Sequence, residues 1–247
     1  MPRIYLSPST QEFNPYTGGG NEEQYMNLIA DAMEPYLISS GIQFSRNTPE
    51  MNAAQSIIQS NAGNYDLHLA LHSNASPDEL SGQLQGPIVF YYPGDSEGQR
   101  ASTIIANNLD EIYPYSTPAR AEATTTIGEV SQTRAPASFI EFAYHDNPQD
   151  AEWIRSNVNL IARNVVISLC DFFGIPFVEP QPIRTGTVDS DGAYLNIRTR
   201  PSTNAYSKGG IPDGATVTVY GSTDGWYVIG YNGIVGYSSA EFIDVDD

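Results

Sequence analysis

The chain has 247 residues, 40% of them hydrophobic and 16% charged, and a formal net charge of −18 at pH 7. A length of this order holds one domain able to bury its own core and a smaller second one, and the acidic balance excludes a nucleic-acid partner, whose phosphates it would repel. One cysteine, Cys170, excludes an internal disulfide, and no apolar run approaches a membrane span, so no membrane insertion is expected.

Residues 3–8, Arg-Ile-Tyr-Leu-Ser-Pro, read as a first buried strand. Asn21-Glu22-Glu23-Gln24 then opens an amphipathic helix in which Met26, Ile29, Ala30, Met33 and Leu37 recur at helical spacing. Asn21 suits the N-cap and Gln24 completes a capping box, while Glu22 complements the helix dipole. A strand over 42–46 and a helix over 51–61 follow. Residues 66–75, Asp-Leu-His-Leu-Ala-Leu-His-Ser-Asn-Ala, read as a buried strand that delivers His72 to its C-terminal end. Next come a strand over 86–92 and a helix over 99–112. The segment 113–133, with Thr124-Thr125-Thr126 and Gly128, reads as a hairpin or loop on the substrate side. A strand over 137–144 and a helix over 150–173 complete the series. This alternation predicts an α/β fold: a mostly parallel sheet flanked by helices.

Two positions in this frame call for chemistry. His72 ends an apolar strand just before small polar residues, where a rigid element aims an imidazole at an open loop. Glu141 interrupts the apolar run Ala137-Ser138-Phe139-Ile140-Glu141-Phe142-Ala143-Tyr144, and a carboxylate inside a buried strand needs a partner, a cation or a catalytic task. An ion pair with Arg134 or Arg155 is the competing explanation. His68 lies four residues before His72 on the same face, about 13 Å away along the strand, too far to share an ion, and is expected to be a hydrogen-bonded core residue. His145 follows the Glu141 strand onto the same rim; it is open as a ligand, as a substrate contact, or as the lead-in to an Asp146-Asn147-Pro148 turn that starts the next helix.

After the Cys170 helix, Pro176, Pro180 and Pro182 fall within seven residues and mark a semi-stiff linker. The expected division is a domain over 1–177, a linker over 178–186 and a domain over 187–247. The last of these alternates in short segments, 193–198, 215–220, 225–231 and 234–237, separated by turn formers such as Asn232-Gly233, a strong hairpin signal. It reads as a small all-β barrel with Trp226 and Tyr237 in its core and Tyr194 and Tyr227 as candidates to line a groove.

Four blocks of the first domain together resemble the zinc-dependent N-acetylmuramoyl-L-alanine amidases of the type 3 family: residues 3–8, 21–28, 65–75 and 135–143. The resemblance implies Zn2+ as cofactor, Glu23 and His72 as metal ligands, Glu141 as the catalytic glutamate, and hydrolysis of the amide between N-acetylmuramic acid and L-alanine of the peptidoglycan stem. The family carries its first zinc histidine just after the first strand, where this chain reads Ser7-Pro8-Ser9-Thr10-Gln11-Glu12. Gln11 is taken as the third ligand, with Thr10, Glu12 and His145 as alternatives. The C-terminal segment resembles the bacterial SH3 domain through Leu195-Asn196-Ile197-Arg198 and the run 224–237, which implies wall binding and bacterial peptidoglycan as partner. Met1-Pro2-Arg3 leads straight into the first strand with no leader visible, the pattern expected of an endolysin-like enzyme held in the cytoplasm until its release to the wall, or of a secreted protein whose signal has been removed. The alternatives are a wall-binding protein without turnover and a metallopeptidase acting on the stem peptide.

Overall fold

A computed structural model describes residues 1–246. They divide into two compact units, one made of Arg3–Glu34 and Phe44–Phe172, the other of Met1–Pro2, Pro35–Gln43 and residues 173–246.

The first unit is built on β1 (Arg3–Pro8), α1 (Glu22–Ser39), β2 (Gln43–Arg46), α2 (Ala53–Ala62), β3 (Leu67–Asn74), β4 (Ile88–Tyr91), α3 (Ser96–Ile112), β5 (Arg120–Ala123), α4 (Gly128–Ser131), β6 (Ala137–Tyr144), α5 (Pro148–Ser156) and α6 (Val158–Phe173), with the far end of α1, the first residue of β2 and the last residue of α6 falling in the second unit. The six strands form one sheet in the order β2-β1-β3-β6-β4-β5. β3 lies parallel to both β1 and β6, and β4 parallel to β5, while β4 meets β6 antiparallel. The expected α/β sheet is therefore mixed at that step. Central strands are apolar on both faces: Leu67, Leu69, Ala70 and Leu71 of β3 and Ile140, Phe142 and Ala143 of β6 are all fully buried, as strands covered by helices on both sides must be.

Local chemistry sets the helix ends. Asn52 caps α2 in a capping box with Gln55, Asp95 caps α3 through Gly98 N, and Asn147 caps α5 by accepting from Gln149 N and Asp150 N with Pro148 at the first helical position. Two expectations change. The long helix over 150–173 is broken at Asn157, whose φ of −126° and ψ of 24° leave the helical region, so the chain turns between α5 and α6. The segment 113–133 holds a sheet strand, β5, and the single-turn α4. Neither Arg-Ala-Glu-Ala nor Gly-Glu-Val-Ser is long or periodic enough to announce itself.

The second unit contains β7 (Arg184–Val188), β8 (Leu195–Arg198), β9 (Ser207–Ile211), β10 (Thr216–Thr223), β11 (Trp226–Tyr231), β12 (Ile234–Ser239) and β13 (Ile243–Val245). They pair antiparallel in the order β13-β7-β10-β11-β12-β8-β9 around Ile197, Ile211, Val217, Val219 and Ile229. Asn232 and Gly233 both take positive φ, which gives the β11–β12 hairpin the twist its strands require. Within the segment 178–186 read as a linker, residues 184–186 are already strand, because Gly186 and Val188 face inward and pair with β10 and β13. Upstream, Val178 is buried and its N–H donates to Ser40 Oγ at 3.0 Å. Tyr237 is core, as expected, whereas Trp226 is only partly buried and lines a groove of about 290 Å3 with Tyr194, Arg198 and Phe242.

Candidate active site

The C-terminal ends of β3 and β6 bring the chemistry together. In the parallel register between them His72 stands directly opposite Glu141, so the two side chains leave the sheet side by side on one face. The His72 ring stacks on Phe139 at a centroid distance of 4.2 Å, which fixes its plane.

Each ring nitrogen of His72 meets a carboxylate. Nδ1 lies 2.8 Å from Glu22 Oε1, and Nε2 lies 3.4 Å from Glu129 Oε2. Gln11 Nε2 is 3.4 Å from the same Nδ1, and Asn14 Nδ2 donates to both Gln11 Oε1 and Glu22 Oε2, so the loop after β1 closes over the histidine. His72 is buried, which by itself lowers an imidazole pKa, yet the hydrogen bonds and charges of Glu129 and Glu22 raise it to about 10. The same contact, with the donation from Asn14, holds Glu22 below the usual carboxylate range against its burial.

Glu22 therefore occupies the place beside His72 that was expected of Glu23. One helical residue is a rotation of about 100°, so adjacent carboxylates at the start of α1 cannot face the same point. Glu22 turns inward and is almost fully buried. Glu23 faces the wall of the open pocket in front of the site, a cavity of about 780 Å3 that Thr10, Gln11, Glu12 and Glu50 also line. The helix start is as expected, with Gln24 N donating to Asn21 Oδ1.

Glu141 makes neither of the ion pairs considered for it. Arg134 binds the Asn61 carbonyl and Arg155 binds Glu152 and the Thr17 carbonyl. Its Oε2 is buried with no hydrogen-bond partner. Burial pushes its pKa up to about 8; the positive His72 acts against this and the negative Glu22 adds to it. A group held there exchanges protons readily near neutral pH.

Glu129 is the site residue that sequence reasoning missed. From the first turn of α4 its Oε1 accepts from Ser7 Oγ at 2.5 Å and from His68 Nε2 at 3.1 Å, while Oε2 faces His72. Burial alone would raise its pKa, but the hydrogen bonds from the two histidines hold it at about 2. His68 is a hydrogen-bonded core residue as expected, with Nδ1 2.9 Å from Ser60 Oγ. The two histidines, too far apart to share an ion, share this carboxylate, because its two oxygens reach in different directions. His145 is drawn elsewhere: its Nδ1 lies 3.0 Å from the Ser73 carbonyl oxygen, and its ring stacks on Tyr16.

The groups that converge on one point are thus one imidazole nitrogen, one carboxylate and the NH2 end of the Gln11 carboxamide, whose oxygen accepts from Asn14. Among the described residues no group of three or more His, Cys, Asp and Glu side chains gathers around a common point. An imidazole whose other nitrogen is held by a carboxylate, facing a second carboxylate, is nevertheless the usual dress of a cation-binding histidine, and with Gln11 turned to present its oxygen the set would offer a divalent cation one nitrogen and two oxygens, fewer charged donors than a common zinc site.

Comparisons with known proteins bear on the fold and the family. The chain resembles in fold the N-acetylmuramoyl-L-alanine amidase AmiC2 of Nostoc punctiforme (14% identity, TM-score 0.62, 70% of this chain and 97% of that one), the catalytic domain of the CD27L endolysin targeting Clostridia difficile (19%, 0.58, 69% and 98%), and the amidase Ami1 from Mycobacterium smegmatis (14%, 0.60, 70% and 97%). No curated protein sequence matches it. The profile of the bacterial SH3 domain matches residues 193–244, and that of the N-acetylmuramoyl-L-alanine amidases matches residues 10–170. With most of its length covered by that second match, the chain belongs to the N-acetylmuramoyl-L-alanine amidase family, a peptidoglycan amidase carrying a bacterial SH3 domain behind its catalytic domain.

Proposed function

We propose that this chain cuts the amide between N-acetylmuramic acid and L-alanine of the peptidoglycan stem with a zinc ion held by His72 Nδ1, Glu22 and Gln11, and with Glu141 as the proton-transferring group. The observation that carries the reading is the pairing of His72 and Glu141 across β3 and β6, with a buried Glu141 oxygen that no protein group satisfies. Zinc supplies Lewis acidity when bound, polarising a carbonyl and bringing the pKa of water to about 7. The remaining work falls to the chain's own groups. Glu141 takes a proton from the attacking water as the new C–O bond forms, then hands it to the stem nitrogen as the C–N bond breaks. Glu22 and Asn14 keep the His72 ring and the loop after β1 in place. Glu23, the ligand that family position suggests, stands instead in the pocket wall and takes part in substrate contact.

The SH3 domain serves wall binding, with Tyr194, Trp226 and Phe242 as the apolar lining of its groove. No helix among the described residues is long and apolar enough to cross a membrane, which accords with action at the wall surface. One observation favours a second reading, a wall-binding protein without turnover: a single histidine serves the cation point.

Zinc content and release of stem peptides from purified walls, measured together on the parent, His72→Ala and Glu141→Gln, test the proposal. Loss of zinc in the first variant, with loss of turnover and retained zinc in the second, is the expected result. A parent that neither holds zinc nor cuts walls when zinc is supplied overturns it, and free peptides beginning at a residue other than L-alanine identify a stem peptidase.

A further inference from the structure

We infer that Glu129 is a positioning residue that fixes Nε2–H on both His68 and His72 and so leaves Nδ1 as the nitrogen of His72 that gives up its proton to a cation. The inference rests on the reading of His72 as a cation ligand.

An ionised carboxylate only accepts hydrogen bonds. Glu129 is almost fully buried and surrounded by donors: Ser7 Oγ at 2.5 Å and His68 Nε2 at 3.1 Å on Oε1, and His72 Nε2 at 3.4 Å on Oε2. Each of these atoms must bring a proton, because a lone pair aimed at a buried carboxylate would leave two acceptors facing one another. Both histidines are thereby fixed as carrying Nε2–H. On His68 the remaining nitrogen is the acceptor for Ser60 Oγ at 2.9 Å. On His72 the remaining nitrogen faces Glu22 Oε1 at 2.8 Å and the Gln11 amide, the point where a cation is held.

His68 stacks on Tyr5 at 5.2 Å and His72 on Phe139 at 4.2 Å, which holds each ring in its plane, and a half-turn within that plane would put carbons where the nitrogens stand and forfeit the contacts to Glu129, Ser60 and Glu22. Ser7 is oriented in turn by Asn47 Nδ2, which also binds the Pro8 carbonyl oxygen and Ser56 Oγ. A chain of buried hydrogen bonds thus runs from β1 and α2 through Glu129 to the cation point. Such outer partners are worth about 10–100-fold in metal affinity where they have been removed.

Nitrogen-15 spectra of the histidine rings decide the matter. In the metal-free protein His68 is expected to be the Nε2–H tautomer, and in the cadmium-loaded protein His72 is expected to keep Nε2–H with its Nδ1 resonance shifted by cadmium. Glu129→Gln, whose carboxamide has one acceptor for three donors, is expected to change the His68 signature and to weaken cadmium binding about 10–100-fold, without displacing the backbone resonances of the sheet. A His68 ring that carries its proton on Nδ1, or cadmium seated on His72 Nε2, overturns the inference, as does a Glu129→Gln protein with parental cadmium affinity and parental ring spectra. If Glu129→Gln does not fold, the parental spectra alone decide. A parent that binds no cadmium refutes the cation reading, while its His68 tautomer still tests the role of Glu129.

Discussion

Glu22 Oε1 stands 2.8 Å from His72 Nδ1, while the neighbouring Glu23 faces the open pocket. Adjacent glutamates at the start of one helix are thus separated in placement by a rotation of about 100°. Glu22→Gln is expected to lower kcat/KM by at least about 100-fold and to weaken zinc binding by a similar factor, the upper range for outer partners being the least that a direct donor should give. Glu23→Gln is expected to retain zinc, with its effect confined to KM. Zinc titration of the two variants side by side checks this; equal losses would return Glu23 to the ligand set.

Glu141 gives a stability signature of opposite sign to its role in turnover. Its pKa is about 8 in the fold against an ordinary carboxyl value of 4.5, so the folded state binds its proton more tightly than the unfolded chain does. That contribution is complete below about pH 4.5 and is lost as pH rises through about 8, at about 1.4 kcal/mol per pH unit in between. Glu141→Gln escapes the loss. In chelator-treated protein the variant should melt close to the parent at pH 5 and increasingly above it towards pH 8, while turnover falls by about 100- to 10,000-fold. A melting difference that does not change with pH would show that Glu141 is not held protonated.

Asp150 ties the end of β6 to the start of β4: its carboxylate accepts from Gly86 N at 2.9 Å and Tyr144 N at 3.0 Å and is also bound by the Tyr113 hydroxyl. Asp150→Ala leaves two buried N–H groups and a phenol without a partner, which should destabilise the catalytic domain by about 3 kcal/mol or more. Urea unfolding followed by tyrosine and tryptophan fluorescence measures it. Tyr113→Phe removes one partner only and is expected to lose about 1–2 kcal/mol.

In the second unit Ile197 is fully buried at the centre of the β core. Ile197→Ala should destabilise that unit by about 2–5 kcal/mol, a large fraction of what so small a core provides. Sedimentation with purified walls should show reduced retention, while hydrolysis of a soluble muramoyl peptide stays near the parental rate. A proportional fall in both would place Ile197 in support of the catalytic domain.

Much of this was legible along the chain because it is governed by local periodicity. The apolar runs at 67–71 and 139–143, the spacing of Met26, Ile29, Met33 and Leu37, the cap at Asn21, and the Asn232-Gly233 turn each state their element within one or two turns of backbone. His72 and Glu141 could be singled out by the same logic, since polar groups at the ends of apolar strands stand out against their neighbours. The break at Asn157 and the strands β5, β7, β9 and β13 could not, because their short segments carry too few residues for a period to emerge.

Residue types and their order along the chain thus determined the presence of a strand-end histidine, an in-strand carboxylate, an acidic helix start and a missing histidine after β1. Tertiary structure alone decided which acid meets which nitrogen. The direction of Glu22 rather than Glu23 depends on where the first turn of α1 docks, and the role of Glu129 depends on α4 folding back over β1 and β3 from a polar stretch more than 50 residues beyond His72 in the chain. A hydrogen bond is set to within a few tenths of an ångström by packing between distant elements, and no local pattern in the sequence encodes a distance of that kind.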